Sequence, residues 1–132
     1  MKKKSTQFRV RYAETDQMKY VHHGNYPEYF EMGRIEWLRE LGISYKKMEE
    51  SGIMLPVINL NINYLKPAKY DDLLTITTSL KELPSARITF EYEITNEENQ
   101  LLTTATTTLV FVDMETGRPI RAPKSLLEKL KN

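Results

Sequence analysis

A helix with a single apolar stripe is the feature that most restricts how this chain can fold. After Gly24, apolar side chains recur every three or four residues, which predicts a helix of about 16 residues, roughly 24 Å long. The stripe consists of Tyr26, Tyr29, Phe30, Gly33, Trp37 and Leu41. Such a helix is stable only when another layer of structure covers the stripe.

Signals at both ends of this helix agree with its predicted length. Asn25 is expected to cap the first turn with its side chain, with Glu28 at the reciprocal position of a capping box. Pro27 lies in the first turn, where its missing N–H does no harm, and Gly42 suits the residue that follows the last turn.

The covering layer is predicted by segments in which polar and apolar residues alternate. One such segment, residues 7–12, precedes the helix, and four more follow it at residues 58–64, 74–80, 88–94 and 100–112. Their hairpin-length connections imply antiparallel pairing. The predicted fold class is therefore α+β, with a curved antiparallel sheet wrapped around the long helix. Its open edges favour association with a second copy.

Composition excludes several classes of protein. The 132 residues suit a single domain spanning residues 1–132, with residues 1–6 expected to form a flexible tail. A net charge of +1 argues against nucleic acid as a partner. The absence of Cys excludes thiolate chemistry and fits a reducing compartment, so we expect a cytoplasmic protein. No apolar run is long enough for a membrane span.

The connection before the helix, residues 12–26, concentrates the groups that could carry chemistry. It contains both histidines of the chain, His22 and His23, and two carboxylates, Glu14 and Asp16. The backbone N–H groups at a helix start favour negative charge. A carboxylate beside such amides can hydrolyse an activated acyl group. Asp16 could equally be an ordinary turn residue, and adjacent histidines without Cys partners do not predict a metal site.

Two motifs resemble the 4-hydroxybenzoyl-CoA thioesterase-like family of hotdog-fold acyl-CoA thioesterases. The first includes Tyr12, Asp16, Val21, Tyr26, Tyr29, Phe30, Glu31 and Arg34, and the second is the run INYLKPAKYDD at residues 62–72. The resemblance implies a hotdog fold, in which the curved sheet encloses the long helix. It also implies hydrolysis of an acyl-CoA to a free acid and coenzyme A.

The resemblance implies roles for particular residues. Asp16 would be the nucleophile or general base, with Tyr12 and His23 also at the catalytic site. A backbone N–H near His23 or Gly24 would polarise the thioester carbonyl. The predicted substrate-binding residues are Gly24, Tyr26, Tyr29 and Val57, although the last three also suit an ordinary core.

Partners and alternatives follow from the same resemblance. Coenzyme A would be part of the substrate, with an acyl-carrier protein as a possible replacement, and no other cofactor or metal is expected. A homodimer or homotetramer would form the site where the loop meets a partner subunit. The alternative functions are hydration of an enoyl thioester by Asp16 and His23, and a non-catalytic acyl-thioester binding module. A further alternative, outside the resemblance, is a different fold in which a curved sheet wraps around the helix and its cavity binds a small hydrophobic molecule within one subunit.

One departure from the family concerns the backbone. Many relatives carry Gly where this chain has Lys19. If the loop requires a positive φ at that position, Lys costs on the order of 1 kcal/mol there.

Overall fold

A five-stranded antiparallel sheet forms the frame of the computed structural model, which describes residues 2–131. Its strands are β1 (Lys3–Arg9), β3 (Val57–Tyr64), β4 (Leu73–Leu80), β5 (Arg87–Thr95) and β6 (Leu101–Val110), and their order across the sheet is β1-β4-β5-β6-β3. The two-residue strands β2 (Ile53–Met54) and β7 (Val112–Asp113) pair with each other. The helices are α1 (Tyr26–Glu40), α2 (Tyr45–Glu50) and α3 (Lys124–Lys131). The predicted α+β fold class is confirmed.

Helix α1 packs its apolar stripe against the inner face of the sheet. The stripe residues are buried, and their rings contact the inward side chains of β5. Phe30 lies 4.7 Å from Tyr92 between ring centroids, and Trp37 meets Phe90 edge-on at 5.2 Å. Each large apolar side chain buried in this way contributes about 1.5–3 kcal/mol. The sheet is therefore the layer that the helix stripe requires.

Helix α1 lies close to the sheet at Gly33. A Cβ atom added there would lie 2.5 Å from Thr78 Oγ1 and 3.1 Å from Ile76 Cδ1, both on β4. Real Cβ atoms do not come so close to their neighbours, so a larger residue would push the helix away from the sheet.

The prediction of a flexible tail is wrong for residues 3–6, because β1 begins at Lys3. Residues Lys3 to Arg9 pair with β4 from Ser79 to Leu73. The carbonyl of Lys2 accepts a hydrogen bond of 3.1 Å from Trp37 Nε1. Backbone pairing holds this segment although its side chains are polar, and only Met1 of the predicted tail lies outside the described residues. The first strand accordingly ends at Arg9, before the predicted limit at residue 12.

Strand β3 is an uncovered edge of the sheet. Both of its faces are largely exposed, including Val57, Ile58, Leu60 and Tyr64. Leu60, Ile62 and Tyr64 lie opposite Thr107, Ala105 and Thr103 of β6, on the face that carries α1. An apolar edge strand is prone to pair with another chain.

None of the helices within residues 2–131 has the length and apolarity needed to cross a membrane.

Substitution of Gly33 tests the helix–sheet contact. We expect Gly33→Ala to lower the free energy of unfolding by about 1–3 kcal/mol, because the new methyl group meets Thr78. Urea denaturation followed by far-UV circular dichroism measures the change.

The matched variant is Gly33→Ala combined with Thr78→Ala. The Thr78 hydroxyl has no hydrogen-bond partner within residues 2–131, so its removal alone should cost little. The double variant should regain part of the stability lost by Gly33→Ala. If it is as unstable as the single variant, the contact with Thr78 is not the cause.

Candidate active site

The residues around Asp16 form a tight hairpin that the second sequence motif braces. Asp16 N–H donates to the Tyr20 carbonyl at 2.8 Å, and Lys19 N–H donates to the Asp16 carbonyl at 2.9 Å. On the other side, Val21 N–H donates to the carbonyl of Ala68, and Tyr70 N–H donates to the carbonyl of Lys19, both at 2.9 Å. The two motifs that carry the family resemblance are therefore in direct contact.

The carboxylate of Asp16 has one bonded oxygen and one free oxygen. Oδ1 accepts hydrogen bonds from the backbone N–H groups of Met18 at 2.8 Å and Tyr20 at 3.2 Å. Oδ2 has no hydrogen-bond partner within residues 2–131, and the side chain is exposed. Asp16 is thus a turn residue, which is one of the two roles that the sequence analysis considers for it. It also presents a fixed oxygen that could react.

The start of helix α1 supplies a free backbone donor. Residues His23–Asn25 form a 3-10 turn that leads into the helix. Within this turn, Gly24 N–H donates to His22 Nδ1 at 3.0 Å and Asn25 N–H donates to the His22 carbonyl at 2.9 Å. The His23 N–H has no acceptor in the described part of the chain. Of the two predicted amides, that of His23 is therefore free to bind an oxygen atom of a ligand.

The predicted cap by Asn25 is wrong. Its backbone is already helical, with φ −88° and ψ −15°, and its side chain makes no capping bond. Instead, Asn25 Nδ2 donates to the carbonyl of Glu14 at 2.8 Å. The side chain therefore ties the helix start to the segment that precedes Asp16.

The other two predicted catalytic side chains lie on the same connection. The rings of His22 and His23 stack with centroids 4.4 Å apart, although the backbone of His22 is extended, with φ −64° and ψ 134°. Tyr12 is 71% exposed, and its ring packs edge-on against Tyr70 at 5.5 Å. Within residues 2–131, no hydrogen bond joins the side chain of Tyr12 or His23 to Asp16. Their catalytic roles stay predictions.

The predicted substrate-binding residues fall into two groups. Tyr26 and Tyr29 are buried, and burial raises the pKa of each hydroxyl, so both stay protonated. For Tyr29 the neighbouring Glu14 carboxylate adds to the rise in pKa. Gly24 is exposed at the free end of the helix, and Val57 is 47% exposed. Within the single chain, the two tyrosines act as core residues.

Val57 lies at a cavity of about 360 Å³ beside the first residues of β3. The wall also includes Arg34, Leu38, Tyr45, Leu55, Phe90 and Leu109. Arg34 donates from Nη1 to the Tyr92 hydroxyl at 3.2 Å, so the wall carries one fixed cation together with the carboxylates of Glu31 and Glu49. The side chain of Val57 therefore faces a space large enough for part of an acyl group.

Sequence reasoning missed the part that Glu14 plays. Its side chain is buried and accepts hydrogen bonds from Arg11 and from the hydroxyl of Tyr29. The available signal was a second carboxylate two residues before Asp16.

The described residues contain no cluster of three or more His, Cys, Asp or Glu side chains that could hold a metal ion.

Comparison with known proteins identifies the class to which this fold and loop belong. Residues 10–130 match the model of the thioesterase-like superfamily. The chain belongs to this superfamily, and the predicted hotdog fold is confirmed.

Individual relatives define the activity. The chain is 36% identical over 126 residues to the long-chain acyl-CoA thioesterase FadM of Escherichia coli K12, covering 95% of each chain. It is 32% identical over 123 residues to the acyl-CoA thioester hydrolase YbgC of Escherichia coli O157:H7, covering 93% of this chain and 92% of YbgC. The structure of a DHNA-CoA thioesterase from Staphylococcus aureus superposes with a TM-score of 0.93 at 36% identity, covering 98% of this chain and 89% of that one. The protein is an acyl-CoA thioester hydrolase, as predicted.

The loop conformation gives a test at Lys19. Its φ of 66° lies in the left-handed region, which Gly adopts more readily than other residues. We expect Lys19→Gly to raise the free energy of unfolding by up to about 1 kcal/mol, since Gly adopts this φ without strain. Chemical denaturation measures the difference.

Gln17→Gly is the control for this change. Gln17 is exposed on the same hairpin but does not have a positive φ. Gly there only increases the freedom of the unfolded chain, so stability should fall. An equal loss of stability in both variants would show that Lys19 is not strained.

Proposed function

We propose that Asp16 carries out the hydrolysis and that the His23 N–H polarises the thioester carbonyl. The observation that supports this is the carboxylate of Asp16, which has one oxygen anchored by two amides and the other free. Oδ2 either attacks the carbonyl carbon or takes a proton from the attacking water. The negative charge that develops on the carbonyl oxygen is stabilised by the amide at the helix start. The C–S bond then breaks. In the water route, the departing thiolate takes up the proton that Asp16 removed from water, which leaves the free acid and coenzyme A as a thiol. In the direct-attack route, the thiolate takes a proton from solvent, and a water molecule hydrolyses the acyl–Asp16 anhydride to the free acid.

The proposed reaction uses no cofactor beyond the coenzyme A of the substrate. A thioester is already an activated acyl group, so a carboxylate, an amide and water are sufficient. Coenzyme A is the proposed carrier because the named relatives act on acyl-CoA, and an acyl-carrier protein is the second candidate. Reaction in the cytoplasm, where acyl-CoA is present and no disulfide is needed, is part of the proposal.

The acyl group is best sought among two chemical classes. One relative with 36% identity is named for long-chain acyl-CoA, and a structural neighbour with the same identity is named for DHNA-CoA. Sequence identity therefore does not favour either class, and an assay has to include both aliphatic and aromatic thioesters.

Asp16→Asn is the variant that tests the mechanism. Asn keeps the acceptor oxygen that bonds Met18 and Tyr20, so the hairpin should persist, but it lacks the negative charge. We expect thiol release from the best substrate among acetyl-, palmitoyl- and benzoyl-CoA to fall by about 10²-fold or more.

Asp113→Asn is the matched control. Asp113 Oδ1 also accepts two backbone N–H bonds in a turn, from Glu115 and Thr116, but Asp113 lies outside the proposed site. This variant should keep the wild-type rate. If Asp16→Asn also keeps it, Asp16 is not in the mechanism.

We further propose that two chains pair through β3. Pairing would cover the exposed apolar residues of this edge and extend the sheet across both subunits. An antiparallel arrangement about a two-fold axis near the middle of β3 would place Val57 of one subunit beside Tyr64 of the partner subunit. The Tyr64 hydroxyl lies 3.5 Å from the His23 carbonyl within its own chain. The cavity of one subunit would therefore adjoin the helix start of the other.

Charge introduced on β3 tests this pairing. We expect wild-type protein to have twice the 15.5 kDa mass of one chain, or a multiple of that pair, in analytical ultracentrifugation. Ile58→Lys with Leu60→Lys should give monomers with little activity, because like charges would meet across the axis.

Leu83→Lys provides the control for added charge. Leu83 is 55% exposed on the connection between β4 and β5, away from β3. This variant should keep both mass and activity. A monomeric wild type, or an active monomeric β3 variant, would contradict the proposal.

A further inference from the structure

Glu14 is a buried carboxylate that the proposed reaction does not use. The residue is 8% exposed, and its carboxylate accepts four hydrogen bonds. Three come from Arg11, through the backbone N at 2.8 Å, Nη2 at 3.1 Å and Nε at 3.3 Å, and the fourth comes from the Tyr29 hydroxyl at 3.0 Å. Burial of a charge is costly unless it is paired and hydrogen-bonded. This carboxylate is therefore held in a single position.

The backbone of Glu14 makes a second set of bonds. Its carbonyl oxygen accepts from His22 N–H at 2.9 Å and from Asn25 Nδ2 at 2.8 Å. The side chain thus contacts Arg11 before the loop and Tyr29 within α1, while the carbonyl contacts the residues at the helix start. One residue joins both sides of the proposed site.

Asp16 is only two residues beyond this junction. Thr15, the residue between them, pairs with Val21 in an antiparallel bridge. The backbone from Glu14 to the hairpin of Asp16 is therefore held in place. The free oxygen of Asp16 and the free His23 amide must act on the same carbonyl group. Small errors in their relative position lower the rate strongly.

We infer that Glu14 is a positioning residue that sets the placement of Asp16 relative to the amides at the start of α1. Its carboxylate stays beneath the loop and touches no reacting atom. The inference rests on the proposed role of Asp16. It predicts an effect on kcat rather than on substrate binding, because the geometry of attack changes while the surfaces that hold the substrate do not.

Glu14→Gln is the test variant. Gln has the same size, but it replaces one acceptor oxygen with an NH₂ group, which cannot accept from Arg11 or Tyr29. With the best substrate of the acyl-CoA panel, we expect kcat per folded subunit to fall at least fivefold with KM unchanged within twofold. A smaller fall in kcat, or a loss confined to KM, overturns the inference.

Combination with Asp16→Asn separates this inference from the proposed function. If Glu14 acts through Asp16, Glu14→Gln should slow the Asp16→Asn enzyme by less than twofold. An equal slowing in both backgrounds would show that Glu14 acts independently of Asp16 and would overturn the inference. If Asp16→Asn alone keeps the wild-type rate, the proposed mechanism fails, and the inference fails with it. If only Asp16→Asn is impaired, the mechanism stands and the inference alone fails.

Tyr29→Phe keeps the test decisive if Glu14→Gln does not fold. This change removes one of the four donors and leaves the bonds from Arg11 in place. We expect a fall in kcat of at least threefold with KM unchanged. A rise in KM at constant kcat would instead show that Tyr29 contacts the acyl group, as the sequence analysis predicted. That result would overturn the positioning role of Glu14.

Discussion

The close contact between helix α1 and the sheet is the constraint on which the rest of the structure depends. The stripe of aromatic residues must be buried, and Gly33 allows the helix to approach β4 without a steric conflict. Because the helix lies at this fixed depth, its first turn emerges beside the hairpin of Asp16. The proposed catalytic groups therefore occur on a loop, while the contact between the helix and the sheet sets the position of that loop.

The loop that contains Glu14 and Asp16 is held in place by several hydrogen bonds. Asp16 has two amide donors on one oxygen, and Glu14 has four donors on its carboxylate. Ala68 and Tyr70, from the second motif, brace the hairpin through backbone bonds. Such contacts reduce the number of conformations open to the loop before any substrate arrives. Preorganisation of this kind lowers the reorganisation needed during reaction.

Periodicity predicted the helix and most of the sheet because those elements bury one face, and burial leaves a clear pattern in the sequence. It predicted a tail at the N-terminus because Lys3, Lys4 and Ser5 are polar, whereas their strand is held by backbone bonds that no side chain reveals. The strands β2 and β7 have two residues each, too few for a period. Asp16 was found through its motif. Glu14 was missed because its partner Tyr29 is fifteen residues away and the contact exists only after the helix docks.

Trp37 gives the molecule an internal optical signal. It is the only tryptophan of the chain, it is fully enclosed between α1 and β5, and its indole nitrogen binds the carbonyl of Lys2. Its fluorescence therefore depends on whether the helix, the sheet and the first strand are in place together. A change in the emission spectrum reports separation of these three parts, without an attached dye.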